Sequence, residues 1–243
     1  MSLATNSLDM AEGFYGAVLG WTFRPGRLGE EFRVAMAEGV PVAGIAEVTR
    51  TLGVPVAWTP FFAVDDADTV AARVRERVAT VAVGPLALGD GRGALAADPD
   101  GATFGFWEGP VHASWDVAQG APPARLELRT RDAFAAALFY GEVFEWAADA
   151  PGRCEVEYRE GGVQIECAGH TVATLRGGAV EAAPDPHVRP RWHVSFSVDD
   201  VDDTVKAAVE AGGSVTDGPR DVPGGRTAGL RDRQGGLFTV AAR

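Results

Sequence analysis

The spacing of hydrophobic residues predicts one order of secondary structure that occurs twice along the chain. Residues 7–19 carry apolar side chains near helical spacing, and a short strand can precede them. Phe32, Val34 and Met36 occupy alternate positions, as in a half-buried strand, and residues 58–64 form a later strand. A helix and three short strands follow. The second half repeats this order of strand, helix and several strands, so the pattern indicates an α+β fold.

Three sequence motifs recur in the same order and show that the chain is an internal duplication. Residues 14–21, FYGAVLGW, return 125 positions later as FYGEVFEW. WTPFFAVDD at residues 58–66 returns as WHVSFSVDD, and DPDG at residues 98–101 returns as DRQG, both 134 positions later. The additional residues of the second copy fall in a proline-containing segment at 180–190. We therefore predict a first domain at residues 1–110, a linker at 111–123 and a second domain at 124–243.

Composition and charge exclude several classes of protein. The chain of 243 residues has a net charge of −12 and a single lysine, so it lacks the basic surface that nucleic-acid binding requires. No apolar run approaches the roughly 20 residues of a membrane span, and residues 1–6 lack the build of a signal peptide. We therefore expect a cytoplasmic protein that binds neither nucleic acid nor membranes and whose partner is a small molecule.

The two cysteines, Cys154 and Cys167, flank a predicted hairpin of the second copy. Their spacing allows them to lie opposite each other across the hairpin. A reducing cytosol disfavours disulfides, so we expect two buried thiols.

Paired aspartates stand at residues 65–66 and again at 199–200. Paired carboxylates can transfer protons, which would make them catalytic. Each pair also stands where a strand leads into a helix, and there an aspartate accepts hydrogen bonds from the first helical N–H groups. We predict that these aspartates cap helices.

The motifs together resemble the vicinal oxygen chelate superfamily, which includes glyoxalase I, bleomycin-resistance proteins and extradiol dioxygenases. The resemblance rests on Phe-Tyr-Gly with a following Trp, on the strand that ends in Val-Asp-Asp, and on Asp-Pro-Asp-Gly. It covers nearly the whole chain and implies tandem domains, each with two βαβββ modules that form a curled mixed sheet around a cleft. Two fused domains can make within one chain the contact that single-domain relatives make between chains, so we expect a monomer or a homodimer.

The resemblance also implies where a metal ion would be bound. Family enzymes use His, Gln or Glu side chains from three strands, and in the second copy these places fall on Arg125, His193 and Thr239. In the first copy the first place falls at or before Met1, and the others fall on Thr59 and Gly105. Only the histidine is a good ligand, because a metal site needs several anionic or imidazole donors. We therefore expect no metal ion and no cofactor.

Strand alternation predicts different chemistry in the two clefts, because side chains at every second position share one face. In the second copy the core face holds Val194, Phe196 and Val198, together with the hairpin pairs of Cys154 with Cys167, Val156 with Ile165 and Tyr158 with Val163. Its cleft face is polar and charged and comprises Arg125, Glu127, Arg129, Glu155, Glu157, Gln164, Glu166, His193, Ser195 and Ser197. The first cleft is predicted to be small-residue and aromatic, with Arg33, Ala35, Val42, Thr59, Phe61, Ala63, Gly105 and Trp107.

These clefts lead us to expect a metal-independent small-molecule binding protein of the glyoxalase and bleomycin-resistance type, which sequesters or senses a partly aromatic metabolite or antibiotic. The predicted ligand-binding residues are Arg33, Thr59, Phe61, Trp107, Arg125, Gln164, Ser195 and Thr239. The alternative is a metal-free lyase, isomerase or cyclase in which His193, Glu127 and Glu157 transfer protons. Phe61 and Trp107 can instead fill space between the copies, Arg125 and Glu127 can form a structural ion pair, and the whole chain can serve as an interaction scaffold.

Overall fold

The computed structural model describes residues 1–112, 123–146, 154–178 and 189–242. Most of the predicted linker and of the segment at 180–190 therefore lies outside the described residues. The first copy contains β1 (Ser2–Ala4), α1 (Leu8–Leu19), β2 (Thr22–Pro25), β3 (Phe32–Ala37), β4 (Val40–Ala46), α2 (Thr49–Leu52), β5 (Ala57–Thr59), β6 (Phe61–Val64), α3 (Ala67–Glu76), β7 (Thr80–Leu88), β8 (Gly91–Ala97) and β9 (Thr103–Glu108). The second contains β10 (Arg125–Arg129), α4 (Ala133–Phe144), β11 (Glu155–Arg159), β12 (Gly162–Cys167), β13 (His170–Arg176), β14 (Arg191–Val198), α5 (Val201–Glu210), β15 (Ser214–Val222), β16 (Gly225–Arg231) and β17 (Leu237–Ala242).

The chain packs into two compact units, each of which takes one βαβββ module from each copy. Unit 1 comprises Met1–Thr59 and His193–Arg243, and unit 2 comprises Pro60–Trp192. Unit 1 contains the strand orders β2-β3-β4-β1-β5 and β14-β17-β16-β15, and unit 2 contains β6-β9-β8-β7 and β11-β12-β13-β10. This grouping differs from the predicted division into residues 1–110 and 124–243, because the module that completes each core comes from the other copy.

A buried network of side chains connects the two modules of unit 1. The Trp58 indole N–H donates to the Tyr15 hydroxyl at 2.8 Å, and that hydroxyl donates to Asp232 at 2.7 Å. Asp232 also accepts from the backbone N–H of Gly236 at 2.9 Å. Trp21 stacks on the Tyr15 ring, with centroids 5.7 Å apart. Burial and the adjacent carboxylate raise the pKa of Tyr15 well above its usual value, so this side chain remains a neutral donor.

Unit 2 contains the same network at the repeated positions. The Trp192 indole N–H donates to the Tyr140 hydroxyl at 2.9 Å, which donates to Asp98 at 3.0 Å, and Trp146 stacks on Tyr140. Burial raises the pKa of both Tyr140 and Asp98, although hydrogen bonds from the Ala102 N–H and Tyr140 oppose the shift at Asp98. The three repeated motifs therefore encode one buried network, and each motif supplies at least one of its members.

The helix-capping prediction is confirmed for the second aspartate of each pair. Asp66 caps α3 by accepting from the Thr69 N–H, and Asp200 caps α5 by accepting from the Asp203 N–H. The hydrogen bond from Thr69 lowers the pKa of Asp66. Both carboxylates therefore have the role that satisfies otherwise unpaired backbone groups at a helix start.

The predicted strand faces hold in the second copy. In the hairpin, Val156 pairs with Ile165 and Tyr158 with Val163, as expected. Along β14 the side chains of Val194, Phe196 and Val198 are buried, and those of the residues between them lie on the other face.

The prediction that Arg33 and Ala35 face the first cleft is wrong. Ala35 is completely buried, and Arg33 forms an ion pair with Glu12 of α1 at 3.1 Å. The alternation fails because the pairing of β3 with β4 shifts register between Ala35 and Met36. As a result, the side chains of these two consecutive residues are both buried. The opposite face of this hairpin carries Phe32, whose ring would collide with a Cβ at Gly44.

The expectation of two buried thiols is also wrong, because Cys154 and Cys167 form a disulfide. Glu155 pairs with Glu166, so the two cysteines come next to each other at the end of the β11–β12 pairing. Their Cα atoms are 4.3 Å apart. Cys167 is buried and both residues pack against the hydrophobic core of unit 2.

Within residues 1–112, 123–146, 154–178 and 189–242, no helix is both long and apolar enough to cross a lipid bilayer.

Candidate ligand-binding site

An aromatic face lies on the sheet β6-β9-β8-β7 of unit 2. Phe104 and Phe106 of β9 point into the core, so Gly105 and Trp107 lie on the opposite face, as predicted. Phe61 is paired with Gly105, and Ala63 with Trp107, in the parallel register of β6 and β9. We refer to Phe61, Gly105, Trp107 and the facing glycines of β8 as the aromatic face. Both rings are half-buried.

Glycines beneath the rings allow them to lie directly against the backbone of the sheet. A Cβ on Gly105 would collide with the Phe61 ring, and one on Gly91 would collide with the indole of Trp107. A Cβ on Gly93 would lie 3.4 Å from the same indole. The Trp107 N–H donates to the Pro110 carbonyl at 3.3 Å, which orients the ring. The structure therefore places two aromatic rings on one face of the sheet, each directly against bare backbone.

The matching face of unit 1 carries small polar residues instead. Ser195 pairs with Thr239 as Phe61 pairs with Gly105, and Ala241 stands where Trp107 does. Thr227 pairs with Ala241, which places it at the position of Gly93. Because the backbone pairing is the same and the side chains differ, the fold itself does not require the aromatic face.

A charged face lies on the other sheet of unit 2, on strands β11-β12-β13-β10. Glu127, Thr174, Gln164 and Glu157 are paired in one row across these four strands. The sequence prediction that Glu127, Gln164 and Glu157 share a face is therefore confirmed by the register of the strands.

Arginine side chains form ion pairs with the carboxylates of this charged face. One oxygen of Glu127 contacts Arg129 at 2.8 Å and the other contacts Arg176 at 3.0 Å. Glu157 contacts Arg159 at 2.6 Å. Arg125, which we expected as a partner of Glu127, lies exposed at the start of β10. Because guanidinium groups engage both oxygens of Glu127, this carboxylate is poorly placed to accept a proton from a substrate.

The three predicted catalytic residues do not belong to one unit. His193 lies on β14 in unit 1, with a partly exposed side chain, whereas Glu127 and Glu157 belong to unit 2. Thr59, Ser195 and Thr239 lie in unit 1 as well. Of the predicted ligand-binding residues, the structure places Phe61 with Trp107 on the aromatic face, and Gln164 on the charged face.

The residues at the family's metal positions do not fit a metal ion. Arg125 is cationic, Thr239 offers only a hydroxyl, and Gly105 has no side chain, so His193 is the single good donor among the positions of both copies. Among the residues that the structure describes, no three His, Cys, Asp or Glu side chains converge as a metal site.

The sequence prediction placed Gly105 on the cleft face but missed Gly91 and Gly93. Gly89 and Asp90 form the turn between β7 and β8. Gly91 and Gly93, however, stand at alternate positions of β8, and Gly105 stands two residues before Trp107. Glycine at every second strand position opposite an aromatic residue was the available signal, since glycine in a strand marks close approach of another group.

Comparison with known proteins identifies the class to which this fold and site belong. The glyoxalase-like domain family matches residues 125–241. The anthracycline biosynthesis protein DauV of Streptomyces sp. (strain C5) is 35% identical over 258 aligned residues, covering 98% of this chain and 90% of DauV. The protein named "Putative glyoxylase CFP32" of Mycobacterium bovis (strain ATCC BAA-935 / AF2122/97) is 32% identical, covering 99% of this chain and 92% of that protein. The chain belongs to the glyoxalase-like family of the vicinal oxygen chelate superfamily.

A solved structure supports the same fold. The Mn(II)-bound glyoxalase from Novosphingobium aromaticivorans matches with a TM-score of 0.54 and 16% identity, over 99% of this chain and 80% of that chain. At this identity the likeness concerns the fold alone. It confirms the prediction of an α+β protein with curled mixed sheets of the vicinal oxygen chelate type.

Proposed function

We propose that this protein binds a small, partly aromatic molecule on the aromatic face of unit 2, without the metal ion used by the family's enzymes. The observation that carries the proposal is the pair of half-buried rings laid on bare backbone, at positions where unit 1 has Ser195 and Ala241. A planar ligand stacked on Phe61 and Trp107 would bury apolar area on both partners. The name of the relative DauV, an anthracycline biosynthesis protein, supports an aromatic ligand, since anthracyclines contain planar fused rings.

The chemistry of the family's metal positions supports binding without a metal ion. A single histidine among Arg125, Thr239, Thr59 and Gly105 leaves a metal ion without a second strong donor. The catalytic alternative has less support, because the carboxylate of Glu127 is taken up by two arginines. The protein would then act by holding its ligand, as a sequestering or sensing protein does.

Calorimetry with anthraquinone-2-sulfonate as the probe tests this function. The variant with Phe61→Ser and Trp107→Ala places the residues of unit 1 on the aromatic face, and we expect binding to weaken by roughly 10- to 100-fold, since each 1.4 kcal/mol lost is about tenfold. Thr227→Ala, at the unit 1 position that matches Gly93, is the control and should leave the affinity unchanged. Thermal unfolding verifies that both variants are folded. Equal affinity of the double variant and the unaltered chain would rule out the aromatic face.

Elemental analysis of the purified protein tests metal independence separately. We expect no stoichiometric transition metal, and chelation with EDTA should leave probe binding unchanged. One tightly bound metal ion per chain, whose removal abolishes binding, would overturn this part of the proposal.

A further inference from the structure

A surface recess of about 590 Å³ lies in unit 2 beside the first turn of α4 and the turn between β11 and β12. Phe134 and Tyr158 line it with rings whose centroids are 5.4 Å apart and tilted by 43°. These side chains belong to residues that are 56% and 55% exposed, although large aromatic residues usually have most of their surface buried. Val163 and Gly177 also line the recess. Its size falls within the range of small-molecule pockets.

The duplication identifies the residues of unit 1 that match this recess. In unit 1, Leu3 pairs with Ile45 and Arg33 pairs with Ile45 from the other side. In unit 2, Leu128 pairs with Leu175, which pairs with Val163. Val163 therefore matches Arg33, and by the same register Gly177 matches Glu47 and Tyr158 matches Pro25. The helices, aligned through their shared Phe-Tyr-Gly, match Phe134 with Asp9 and Ala137 with Glu12.

In unit 1 charged side chains occupy four of these five matching positions, and Pro25 occupies the fifth. Arg33 forms an ion pair with Glu12 at 3.1 Å and donates to the Glu30 carbonyl at 2.7 Å. Glu47 accepts a hydrogen bond from the Leu8 N–H, the first of α1, at 2.9 Å. A carboxylate of the chain itself is therefore seated at the start of the helix.

In unit 2 every one of these charged residues is replaced by an apolar residue or by glycine. Val163 and Ala137 are both buried and cannot form the ion pair. Gly177 has no side chain to accept from the Ala133 N–H, and a Cβ on it would lie 3.2 Å from that nitrogen. Asp132 caps α4 by accepting from the N–H groups of Phe134 and Ala135. The change at five matched positions removes the carboxylate that Glu47 supplies in unit 1 and adds two aromatic rings, while Arg131, Asp132 and Arg159 also line the recess.

We propose that this recess binds an aromatic carboxylate, whose carboxylate takes the place that Glu47 occupies in unit 1 and whose ring packs against Phe134 and Tyr158. Ring contact supplies apolar burial and edge or offset stacking. The guanidinium of Arg131, which lines the recess and contacts Asp100 at 3.3 Å, provides a cation at the rim. This site is separate from the aromatic face at Trp107, and the proposal does not depend on the proposed function.

Titration with 2-naphthoate, followed by calorimetry, tests the site with two variants that copy unit 1. Gly177→Glu introduces the carboxylate that Glu47 supplies in unit 1, and Phe134→Asp introduces the aspartate that unit 1 has at position 9. We expect each to weaken 2-naphthoate binding by about tenfold or more. Leu138→Asp is the control, because Leu138 is exposed on the same helix but does not line the recess, and it should bind as the unaltered chain does.

Four results would overturn the proposal. The first is the absence of saturable 2-naphthoate binding to the unaltered chain. The second is unchanged binding by a folded Phe134→Asp variant, which remains informative if Gly177→Glu does not fold. The third is loss of 2-naphthoate binding only in the Phe61→Ser and Trp107→Ala variant, which would assign the probe to the aromatic face. Equal binding of the neutral 2-naphthamide would contradict the carboxylate as the recognised group.

Discussion

Unit 1 and unit 2 share a buried network of tryptophan, tyrosine and aspartate, but the surfaces built on it differ. The hydroxyl of Tyr15 donates to Asp232 at 2.7 Å and that of Tyr140 to Asp98 at 3.0 Å, with the same indole donor behind each. On the sheet faces, rings in unit 2 replace the serine and alanine of unit 1. The duplicated interior is therefore retained as one structural solution, while positions outside it differ in chemistry between the units. A residue found in one unit defines an informative substitution at the matching position of the other.

Unit 2 contains a disulfide that unit 1 lacks. Among the changes proposed here, removal of this cross-link should have the largest effect. Cys154 and Cys167 are 13 residues apart, and a cross-link of about this length stabilises by roughly 3 kcal/mol in the chain-entropy description. We expect dithiothreitol to lower the free energy of unfolding by about that amount, measured by urea denaturation. The variant with Cys154→Ala and Cys167→Ala should be equally destabilised and should not respond to the reductant. Unaltered stability under reduction would show that the cross-link contributes nothing.

Tyr15→Phe and Tyr140→Phe test whether the two networks are equivalent. Each substitution leaves a buried indole N–H and a buried carboxylate without the shared hydroxyl, which costs about 2 kcal/mol. We expect losses of similar size in thermal or urea unfolding. Tyr158→Phe is the control, because Tyr158 is 55% exposed and lies outside both networks. A clear effect of only one of the two buried substitutions would contradict their equivalence.

Alkaline pH should weaken both networks through the same tyrosines. Burial raises the pKa of Tyr15 and Tyr140 above 10 in the folded chain, so the unfolded chain loses these protons first as the pH rises. The stabilisation is complete below pH 10 and is lost between pH 10 and the higher folded pKa, by up to about 1.4 kcal/mol per pH unit for each tyrosine. Unfolding measured from pH 9 to 11.5 should show a shallower decline in the Tyr15→Phe and Tyr140→Phe variants. Identical slopes in all three proteins would contradict this assignment.

Glu47→Gly should have the smallest effect of these changes. It gives unit 1 the residue that unit 2 has at position 177 and removes the acceptor for the Leu8 N–H. Loss of a helix-start acceptor costs about 1 kcal/mol, which urea denaturation can resolve. Glu47→Gln keeps an acceptor oxygen and should retain most of the stability. If the glycine and glutamine variants are equally stable, the hydrogen bond does not contribute.

Sequence patterns predicted the features that depend on strict alternation and on the repeat. Val194, Phe196 and Val198 are buried, and the row of Glu127, Gln164 and Glu157 forms as expected, because regular pairing preserves a period of two. The same argument failed at Arg33 and Ala35, where a register shift in β3 breaks the period. A bulge depends on strand curvature and packing, and no residue type in this hairpin indicates its position.

The sequence prediction missed two features: the combination of modules from different copies in each unit, and the disulfide. Both depend on contacts between segments that are far apart along the chain or lie on facing strands. The repeated motifs contain Tyr15, Trp58 and the aspartates, yet their order along the chain does not reveal that Tyr15 bonds to Asp232 and not to Asp98. For the cysteines, an assumption about the cellular compartment outweighed a correct prediction of hairpin geometry. Phe61 and Trp107 of the aromatic face were predicted from the sequence. The role of the glycines follows only from the structure, in which the two rings lie directly against them.

The exchanged modules have a consequence for the order in which the chain can fold during synthesis. Tyr140 and Asp98 are 42 residues apart and unit 2 is continuous, so its network can close once Trp192 has left the ribosome. Tyr15 and Asp232 are 217 residues apart, so the Tyr15 hydroxyl lacks its acceptor until the segment around Asp232 has emerged. The segment around Tyr15 is therefore made before unit 2 but reaches its native packing after it. Domains are usually completed in order from the N-terminus, whereas here the continuous unit 2 is completed before unit 1.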